Sequence, residues 1–201
     1  MASLVGQQFP EGVAFMHIPY TPEKAGLNAC GLPQKFDASK EFQNKKVALV
    51  AVPGAFTPTC SEQHVPTFIE QKEALKAKGI DQIIVIAYND AFVMSAWGKS
   101  HNITDDFIVS KKQKQKQKTL HQLISRLYCA CRMLIWRLPC LATQIFASDA
   151  DAKFSKQIGW TMGERTGRYA LVVDHGKVVY AEQAAKGGVE GTDAASILAK
   201  L

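Results

Sequence analysis

Cys60 is the residue of this sequence that is best placed to do chemistry. It ends the segment Val52-Pro-Gly-Ala-Phe-Thr-Pro-Thr-Cys60, seven residues after Pro53 and three after Thr57. The apolar run 46–52 predicts a buried strand that stops at Pro53, so Cys60 is expected in the first turn of the following helix. Free amide groups and the helix dipole at that position favour a thiolate. The spacing indicates a nucleophilic thiol, and a buried, unreactive cysteine is the alternative.

Strands and helices alternate on both sides of this segment. The patterns predict strands at 13–18, 46–52, 82–88, 168–174 and 177–180, with a tight turn at 175–176 between the last two. They predict helices at 59–76, 90–99, 149–158 and from about 192 onward. This order favours an α/β protein of the thioredoxin-like fold, with a central mixed sheet flanked by helices. We expect one such domain over 1–201, interrupted by an atypical basic insertion at 109–144.

Composition excludes several classes of protein. The chain has 201 residues, of which 47% are hydrophobic and five are cysteine, which is unlike a disordered chain or a disulfide scaffold. No apolar run approaches the ~18 residues that a membrane-spanning helix needs. The first residues lack the basic and apolar regions of a secretory signal. We therefore expect a soluble intracellular protein whose cysteines are thiols rather than structural disulfides.

The net charge of +6 is concentrated in residues 109–144. This segment holds eight basic residues and no acidic ones, so the remainder carries +6 − 8 = −2. That distribution argues against a general nucleic-acid-binding surface. The segment also contains Cys129, Cys131 and Cys140, but the spacing of the first two with His121 does not suit a zinc site. With no glycine-rich phosphate loop either, we expect no metal and no cofactor.

The same segment has the properties of an intron that was translated. It joins a Lys/Gln tract to an apolar, basic stretch at 120–141, and charge and cysteine content change together at its edges. Its first two residues, Val-Ser, can be encoded by the splice-donor sequence GTAAGT, and its last, Gln144, by the acceptor ending CAG. The 36 residues correspond to 108 nucleotides. A genuine basic amphipathic loop that binds membranes or a partner is the alternative.

The pattern Pro53-x-x-x-Thr57-x-x-Cys60 resembles the active-site signature of the peroxiredoxins. The longer Pro-Gly-Ala-Phe-Thr-Pro-x-Cys resembles their peroxiredoxin-five branch, above all fungal alkyl-hydroperoxide-reducing members, some of them peroxisomal and some known as allergens. Similarity continues through 79–85, 89–99, 147–160 and 167–176. It implies a peroxidase without a cofactor that reduces hydrogen peroxide and alkyl hydroperoxides. Thioredoxin, or glutaredoxin with glutathione, would be the reductant. A redox sensor or chaperone-like interaction protein on the same fold is the alternative.

The resemblance implies a role for each residue of the motif. Cys60 corresponds to the peroxidatic cysteine, Thr57 to the hydroxyl that orients the peroxide and contacts the thiolate, and Pro53 to the proline that screens the pocket from water. Arg168 corresponds to the arginine that stabilises the thiolate and the charge developing during attack. An ordinary surface cation is the alternative for Arg168, and Arg165 is a nearby substitute outside the matching segment.

A second thiol is expected to complete the catalytic cycle. Cys30, in Asn28-Ala-Cys-Gly-Leu-Pro33, resembles the resolving cysteine of the fungal subgroup, which implies a Cys30–Cys60 disulfide, typically across a homodimer. A passive Cys30 with a glutathione-type one-cysteine cycle is the alternative. His64 lies one turn after Cys60, where a structural histidine or a dimer contact is favoured over a role in tuning the thiolate. Trp97 and Phe56 are expected to pack or to line the pocket.

The chain ends in Ala199-Lys200-Leu201, which is similar to the peroxisomal address Ser-Lys-Leu. A receptor reads such a signal, and we expect the end of a C-terminal helix to be accessible to it. A helix that simply finishes in common helix-forming residues is the alternative. The expected location is the peroxisome or the cytoplasm.

Overall fold

The computed structural model describes residues 4–103, 143–185 and 187–201. Two apolar runs, Lys46–Ala51 and Gln82–Ala87, form the centre of its sheet. In the first run, Ala48 and Val50 pack into one hydrophobic cluster, while Val47 and Leu49 pack into another on the opposite face. Both faces of the sheet are therefore covered, which explains why these strands are continuously apolar rather than alternating.

The strands of the described residues include seven that make up the main sheet and two that form a small hairpin. They are β1 (Ala14–His17), β2 (Gln34–Asp37), β3 (Lys46–Ala51), β4 (Gln82–Ala87), β5 (Thr143–Ser148), β6 (Thr161–Met162), β7 (Arg165–Thr166), β8 (Tyr169–Asp174) and β9 (Lys177–Gln183). The α-helices are α1 (Ala38–Glu41), α2 (Val65–Glu70), α3 (Lys72–Ala77), α4 (Ala91–Ser100), α5 (Lys153–Gln157) and α6 (Ala194–Lys200).

The main sheet is mixed, with the strand order β2-β1-β5-β4-β3-β8-β9. Strands β3, β4 and β5 run parallel to one another, and the remaining pairs are antiparallel. One face packs against residues of α2, α3, α4 and α6, and the other against residues such as Phe42 and Phe154. This arrangement confirms the α/β fold class and the mixed sheet with helices on both sides. Among the described residues, no helix is long and apolar enough to span a membrane.

The prediction of a single helix at 59–76 is wrong in detail, because the segment is divided into three helical pieces. The chain first forms a wide π-helical turn, Thr59–His64, in which the Val65 amide donates to the Cys60 carbonyl. Helix α2 follows and is separated from α3 by Gln71, whose φ and ψ of −98° and 13° are not helical. Pro66 has no amide hydrogen to donate to the carbonyl four residues earlier, so regular α-helical bonding cannot extend backward through it.

The helix expected at 149–158 also begins later than predicted. Residues Ala150–Ala152 form a 3-10 turn in which Asp151 and Ala152 have positive φ angles of 57° and 49°. The Asp149 carboxylate accepts hydrogen bonds from the amides of Phe154 and Ser155, at 2.9 and 3.1 Å. This carboxylate satisfies free amides of the first turn of α5, which fixes the start of the helix at Lys153.

The expected insertion at 109–144 lies almost wholly outside the described residues, so its interpretation stays a prediction. Thr143 and Gln144, the last two residues of that segment, are the first two of β5 and pair with Gln82 and Ile83 of β4. The described residues that flank the segment on both sides belong to one compact unit.

Candidate active site

The sheet brings the ends of two strands together at Cys60 and Arg168. Strand β3 ends at Ala51, which is paired with Tyr169 at the start of the antiparallel strand β8. Arg168 immediately precedes β8, so it lies beside the point where the chain leaves β3 and enters the loop toward Cys60. Two residues 108 positions apart in sequence are therefore neighbours in space.

The thiol of Cys60 is buried beside the Arg168 guanidinium. Cys60 is 1% exposed and free, and the Arg168 Nη2 donates to Cys60 Sγ at 3.5 Å. An arginine side chain stays protonated at any physiological pH, so a full positive charge faces the sulfur. This geometry stabilises a thiolate and any negative charge that passes from the sulfur to a bound substrate.

His64 holds the other terminal nitrogen of the Arg168 guanidinium. Its Nε2 lies 2.8 Å from the Thr192 carbonyl oxygen, and its Nδ1 lies 3.2 Å from Arg168 Nη1. These two partners define the tautomer of His64. Its Nε2 must carry the proton and donate to the Thr192 carbonyl, and its Nδ1 must accept from the Arg168 guanidinium. Burial lowers the pKa of His64 to about 4, which keeps the imidazole neutral and able to accept this hydrogen bond.

The loop between β3 and Cys60 is fixed by its own hydrogen bonds and by Asn89. The Asn89 Oδ1 accepts from the Ala55 amide at 2.9 Å, and the Thr57 Oγ1 donates to the Gly54 carbonyl at 3.0 Å. Pro53 is buried, whereas Thr57 is half-buried and keeps the lone pairs of its hydroxyl free to accept. Thr57, three residues before Cys60, thus presents a hydroxyl acceptor from a loop that these hydrogen bonds hold in place.

Sequence reasoning missed Asn89 as a site residue. The N-cap of the following helix α4 is its neighbour Asp90, whose carboxylate accepts from the amides of Phe92 and Val93 at 2.8 and 2.9 Å. The available signal was the position of Asn89 just past the end of β4, next to the end of β3 in a parallel pair. Polar side chains at that edge of a parallel sheet lie near one another.

Trp97 packs in the core as expected, whereas Phe56, also expected to pack or to line the pocket, is largely exposed beside it. Trp97 is fully buried, with its ring edge-on to Phe146 at 5.3 Å between centroids, and its Nε1 donates to Ser61 Oγ at 3.1 Å. Phe56 is 57% exposed and lies 6.4 Å from the Trp97 ring. Trp97 therefore does more than fill space, because it binds the residue directly after Cys60.

Gly167 permits the close approach of the chain that carries Arg168. A Cβ atom at this position would lie 2.6 Å from the Trp160 carbonyl oxygen, and the Gly167 amide donates to that oxygen at 3.0 Å. No side chain fits between two backbone segments held this close. The alternative cation, Arg165, is exposed and stacks over the Tyr88 ring at 5.5 Å, so Arg168 is the arginine at the sulfur.

Cys30 is exposed on the loop before β2 and is a free thiol. Cys60, in contrast, is enclosed by the core, so a bond between the two sulfurs requires Cys60 to emerge from its π-helical turn. Within the described residues, no group of three or more His, Cys, Asp or Glu side chains could hold a metal ion.

Comparison with known proteins identifies the chain. The redoxin family model matches residues 4–125 and 141–198. The peroxiredoxin Pen c 3 of Penicillium citrinum is 43% identical over 203 residues, covering 100% of both chains. The chain belongs to the redoxin family, and within it to the peroxiredoxins. Enzymes of this class are thiol peroxidases that use peroxides as substrates and a thiol as reductant.

Other relatives agree with this assignment. A putative peroxisomal peroxiredoxin of Lipomyces kononenkoae is 40% identical over 200 residues, covering 96% of this chain and 98% of that protein. Among solved structures, reduced Prx3 of Vibrio vulnificus in complex with hydrogen peroxide has a TM-score of 0.69 and 31% identity, covering 99% of this peroxiredoxin and 98% of that chain. Peroxiredoxin 5 of Alvinella pompejana, at 21% identity and a TM-score of 0.62, shares the fold. The thioredoxin-like fold and the peroxiredoxin resemblance predicted from the sequence are confirmed.

Proposed function

We propose that this peroxiredoxin reduces hydrogen peroxide and alkyl hydroperoxides with Cys60 as the attacking thiol. The observation that carries the proposal is the 3.5 Å contact between Arg168 Nη2 and Cys60 Sγ, made by a guanidinium that His64 holds in place. A permanent cation aimed at a buried sulfur favours the thiolate, which is the form of cysteine that attacks peroxides.

The first step consumes one peroxide and oxidises one sulfur. The Cys60 thiolate attacks the terminal peroxide oxygen, the S–O bond forms as the O–O bond breaks, and the alkoxide or hydroxide leaves and takes up a proton. Cys60 becomes a sulfenic acid, and the products are an alcohol or water. Arg168 stabilises the negative charge as it moves onto the peroxide oxygens. Thr57 accepts a hydrogen bond from the peroxide, and buried Pro53 excludes water from the thiol.

Cys30 is proposed to complete the cycle. Its thiolate attacks the sulfenic sulfur of Cys60, forming a disulfide and releasing the sulfenic oxygen as water. Because Cys60 is only 1% exposed, the turn Thr59–His64 must open before the two sulfurs can meet. We propose that this disulfide links two copies of the chain and is reduced by thioredoxin, or by glutaredoxin with glutathione.

Stopped-flow measurement of peroxide reduction tests the role of Cys60. The wild-type protein and Cys30→Ser should oxidise at the same rate in a single turnover, since Cys30 acts only afterwards, while Cys60→Ser should not react. An unchanged rate in Cys60→Ser would eliminate the assignment. Non-reducing gels test the second step. Peroxide should produce a disulfide-linked dimer in the wild type and none in Cys30→Ser, and a persisting dimer would assign resolution to another thiol.

We also propose a peroxisomal location, with the cytoplasm as the alternative. The C-terminal Ala199-Lys200-Leu201 supports it, as does the peroxisomal relative of Lipomyces kononenkoae. Ala199 and Lys200 are exposed, but Leu201 is half-buried against the core, so a receptor would have to release this last side chain. A fluorescent protein fused to the N-terminus should give punctate signal that is lost on deletion of Leu201. A diffuse signal unaffected by that deletion would contradict the proposal.

We propose that residues 109–144 are a translated, unspliced intron rather than a functional loop. Beside the composition of the segment, Gln144 supports this interpretation. Its side chain is 1% exposed in β5, and its Oε1 has no hydrogen-bond partner among the residues that the structure describes. Joining Ile108 to Ile145 would give that buried position an apolar side chain. Sequencing the mature transcript tests the proposal, and a message that retains all 108 nucleotides would contradict it.

A further inference from the structure

Lys99 fixes the chain on the N-terminal side of Cys30. Its Nζ donates to the Ala29 carbonyl at 2.6 Å and to the Gly26 carbonyl at 3.3 Å. Both acceptors lie within four residues of Cys30, and an ammonium group can serve two carbonyls at once because it has three donors. One side chain of α4 therefore holds the short segment that leads into the Cys30 thiol.

The chain on the other side of Cys30 is held by packing. A Cβ atom at Gly31 would lie 2.5 Å from Ile18 Cγ2, so the Gly31 backbone sits directly against the Ile18 side chain, which is buried. Cys30 itself is exposed. The backbone is thus fixed before and after a thiol that faces solvent, which is the arrangement expected for presenting a nucleophile rather than burying it.

Helix α4 contacts the neighbours of both cysteines. Trp97 donates to Ser61 Oγ, directly after Cys60, and Lys99 binds the carbonyl directly before Cys30. Since these two residues are on the same helix, α4 contacts both the segment after Cys60 and the segment before Cys30, the thiol proposed to resolve the Cys60 of the other copy. Lys99 touches neither sulfur through these bonds, so any effect it has on the reaction must act through the loop.

We propose that Lys99 is a positioning residue for the resolving step: it holds residues 26–29 so that the Cys30 thiol is presented for attack on the Cys60 sulfenic acid. This inference rests on the proposed resolving role of Cys30. The reaction it accelerates is that of a Cys30 thiol with a Cys60 sulfenic acid, which gives one disulfide and one water and needs no further reactant. Without the two hydrogen bonds from Lys99, residues 26–29 would sample many conformations, and the attack of Cys30 would slow.

The test compares Lys99→Met with Lys99→Arg in the full chain, with Lys177→Met at the exposed start of β9 as a matched control. Rapid mixing with hydrogen peroxide follows sulfenic acid formation and disulfide formation separately. Because Lys99→Met removes both hydrogen bonds that hold residues 26–29, it should slow disulfide formation about tenfold or more. Sulfenic acid formation should keep its wild-type rate. Lys99→Arg, whose guanidinium can also serve both carbonyls, should restore most of the rate.

A second readout separates positioning from general support of the fold. A sulfenic acid that waits longer for Cys30 is exposed to a second peroxide, so Lys99→Met should accumulate sulfinic acid on Cys60 at lower peroxide concentrations than the control. Wild-type disulfide formation in Lys99→Met would overturn the inference, as would equal slowing of both steps. A disulfide that persists in Cys30→Ser would instead refute the resolving role of Cys30, and the role of Lys99 would fall with it.

Discussion

Replacing His64 with glutamine should remove most of a pH dependence of stability that this one residue creates. The pKa of His64 is lowered to about 4 by burial and, to a smaller extent, by the Arg168 charge, although the bond to the Thr192 carbonyl and the Asp193 carboxylate oppose this. In the unfolded chain the pKa returns to its ordinary 6.5. Between these two values the unfolded chain binds a proton that the folded protein does not.

The sign and size of the effect follow from this difference. Stability from the neutral His64 is fully present above pH 6.5 and is lost as the pH falls toward 4, because protonation then favours the unfolded chain. The difference between the unfolded and folded pKa values of His64 corresponds to about 3 kcal/mol of unfolding free energy. A glutamine at position 64 does not titrate, yet its amide can donate to the Thr192 carbonyl and accept from Arg168.

Urea unfolding of both proteins under reducing conditions, repeated from neutral pH down to about pH 4, measures this contribution. The unfolding free energy of the wild type, relative to His64→Gln, should fall by about 3 kcal/mol over that range. His17 and His101, whose pKa values are also lowered by burial, contribute equally to both proteins and cancel in the comparison. If the unfolding free energies of the two proteins changed in parallel with pH, His64 would not be buried in its neutral form. The tautomer that holds Arg168 in place would then be refuted as well.

Three further substitutions test other contacts of the site and the sheet. Arg168→Met removes a charge-assisted hydrogen bond to the sulfur, worth about 3 kcal/mol, and should lower the second-order rate constant for peroxide about 150-fold in stopped flow. A loss below about threefold would contradict the role of the guanidinium. Gly167→Ala places a Cβ atom against the Trp160 carbonyl, so it should cost about 1–3 kcal/mol in urea unfolding and also slow the peroxide reaction. A Gly167→Ala protein as stable as the wild type would contradict this expectation. Gln144→Ile should raise the unfolding free energy by about 1–2 kcal/mol, since it removes a buried amide oxygen without a described partner, and a destabilised variant would show that this oxygen is satisfied.

The central strands and the position of the nucleophile could be predicted from the sequence because both depend on local patterns. The runs 46–52 and 82–88 are short and almost continuously apolar, which is typical of strands in a sheet covered on both faces, and Pro53 marks the end of the first. Cys60 lies seven residues after Pro53, which predicts its position in the first turn after the loop that follows this strand. Arg168 could be proposed only through resemblance, since nothing in its own segment indicates that β8 pairs with β3.

The remaining features depend on contacts between residues that are far apart in sequence. His64 looks like any histidine on a helix until the Thr192 carbonyl and Arg168 approach it from two other segments. The π-helical turn at Cys60 and the late start of α5 arise from Pro66 and from the Asp149 carboxylate, which override a helical pattern that is otherwise continuous. Lys99 carries no signal at all, because its partners are backbone carbonyls on a loop 70 residues away.

The central claim, that Cys60 is the sulfur that peroxide oxidises, is tested most directly by locating the oxidised atom. Reduced Cys30→Ser protein, which cannot form the proposed disulfide, is treated with one equivalent of hydrogen peroxide and a reagent that traps sulfenic acids, and its peptides are analysed by mass spectrometry. The trapped adduct should appear on the peptide that contains Cys60 and should account for the peroxide consumed. An unmodified Cys60, with the adduct on another cysteine or with the peroxide left intact, would contradict the account.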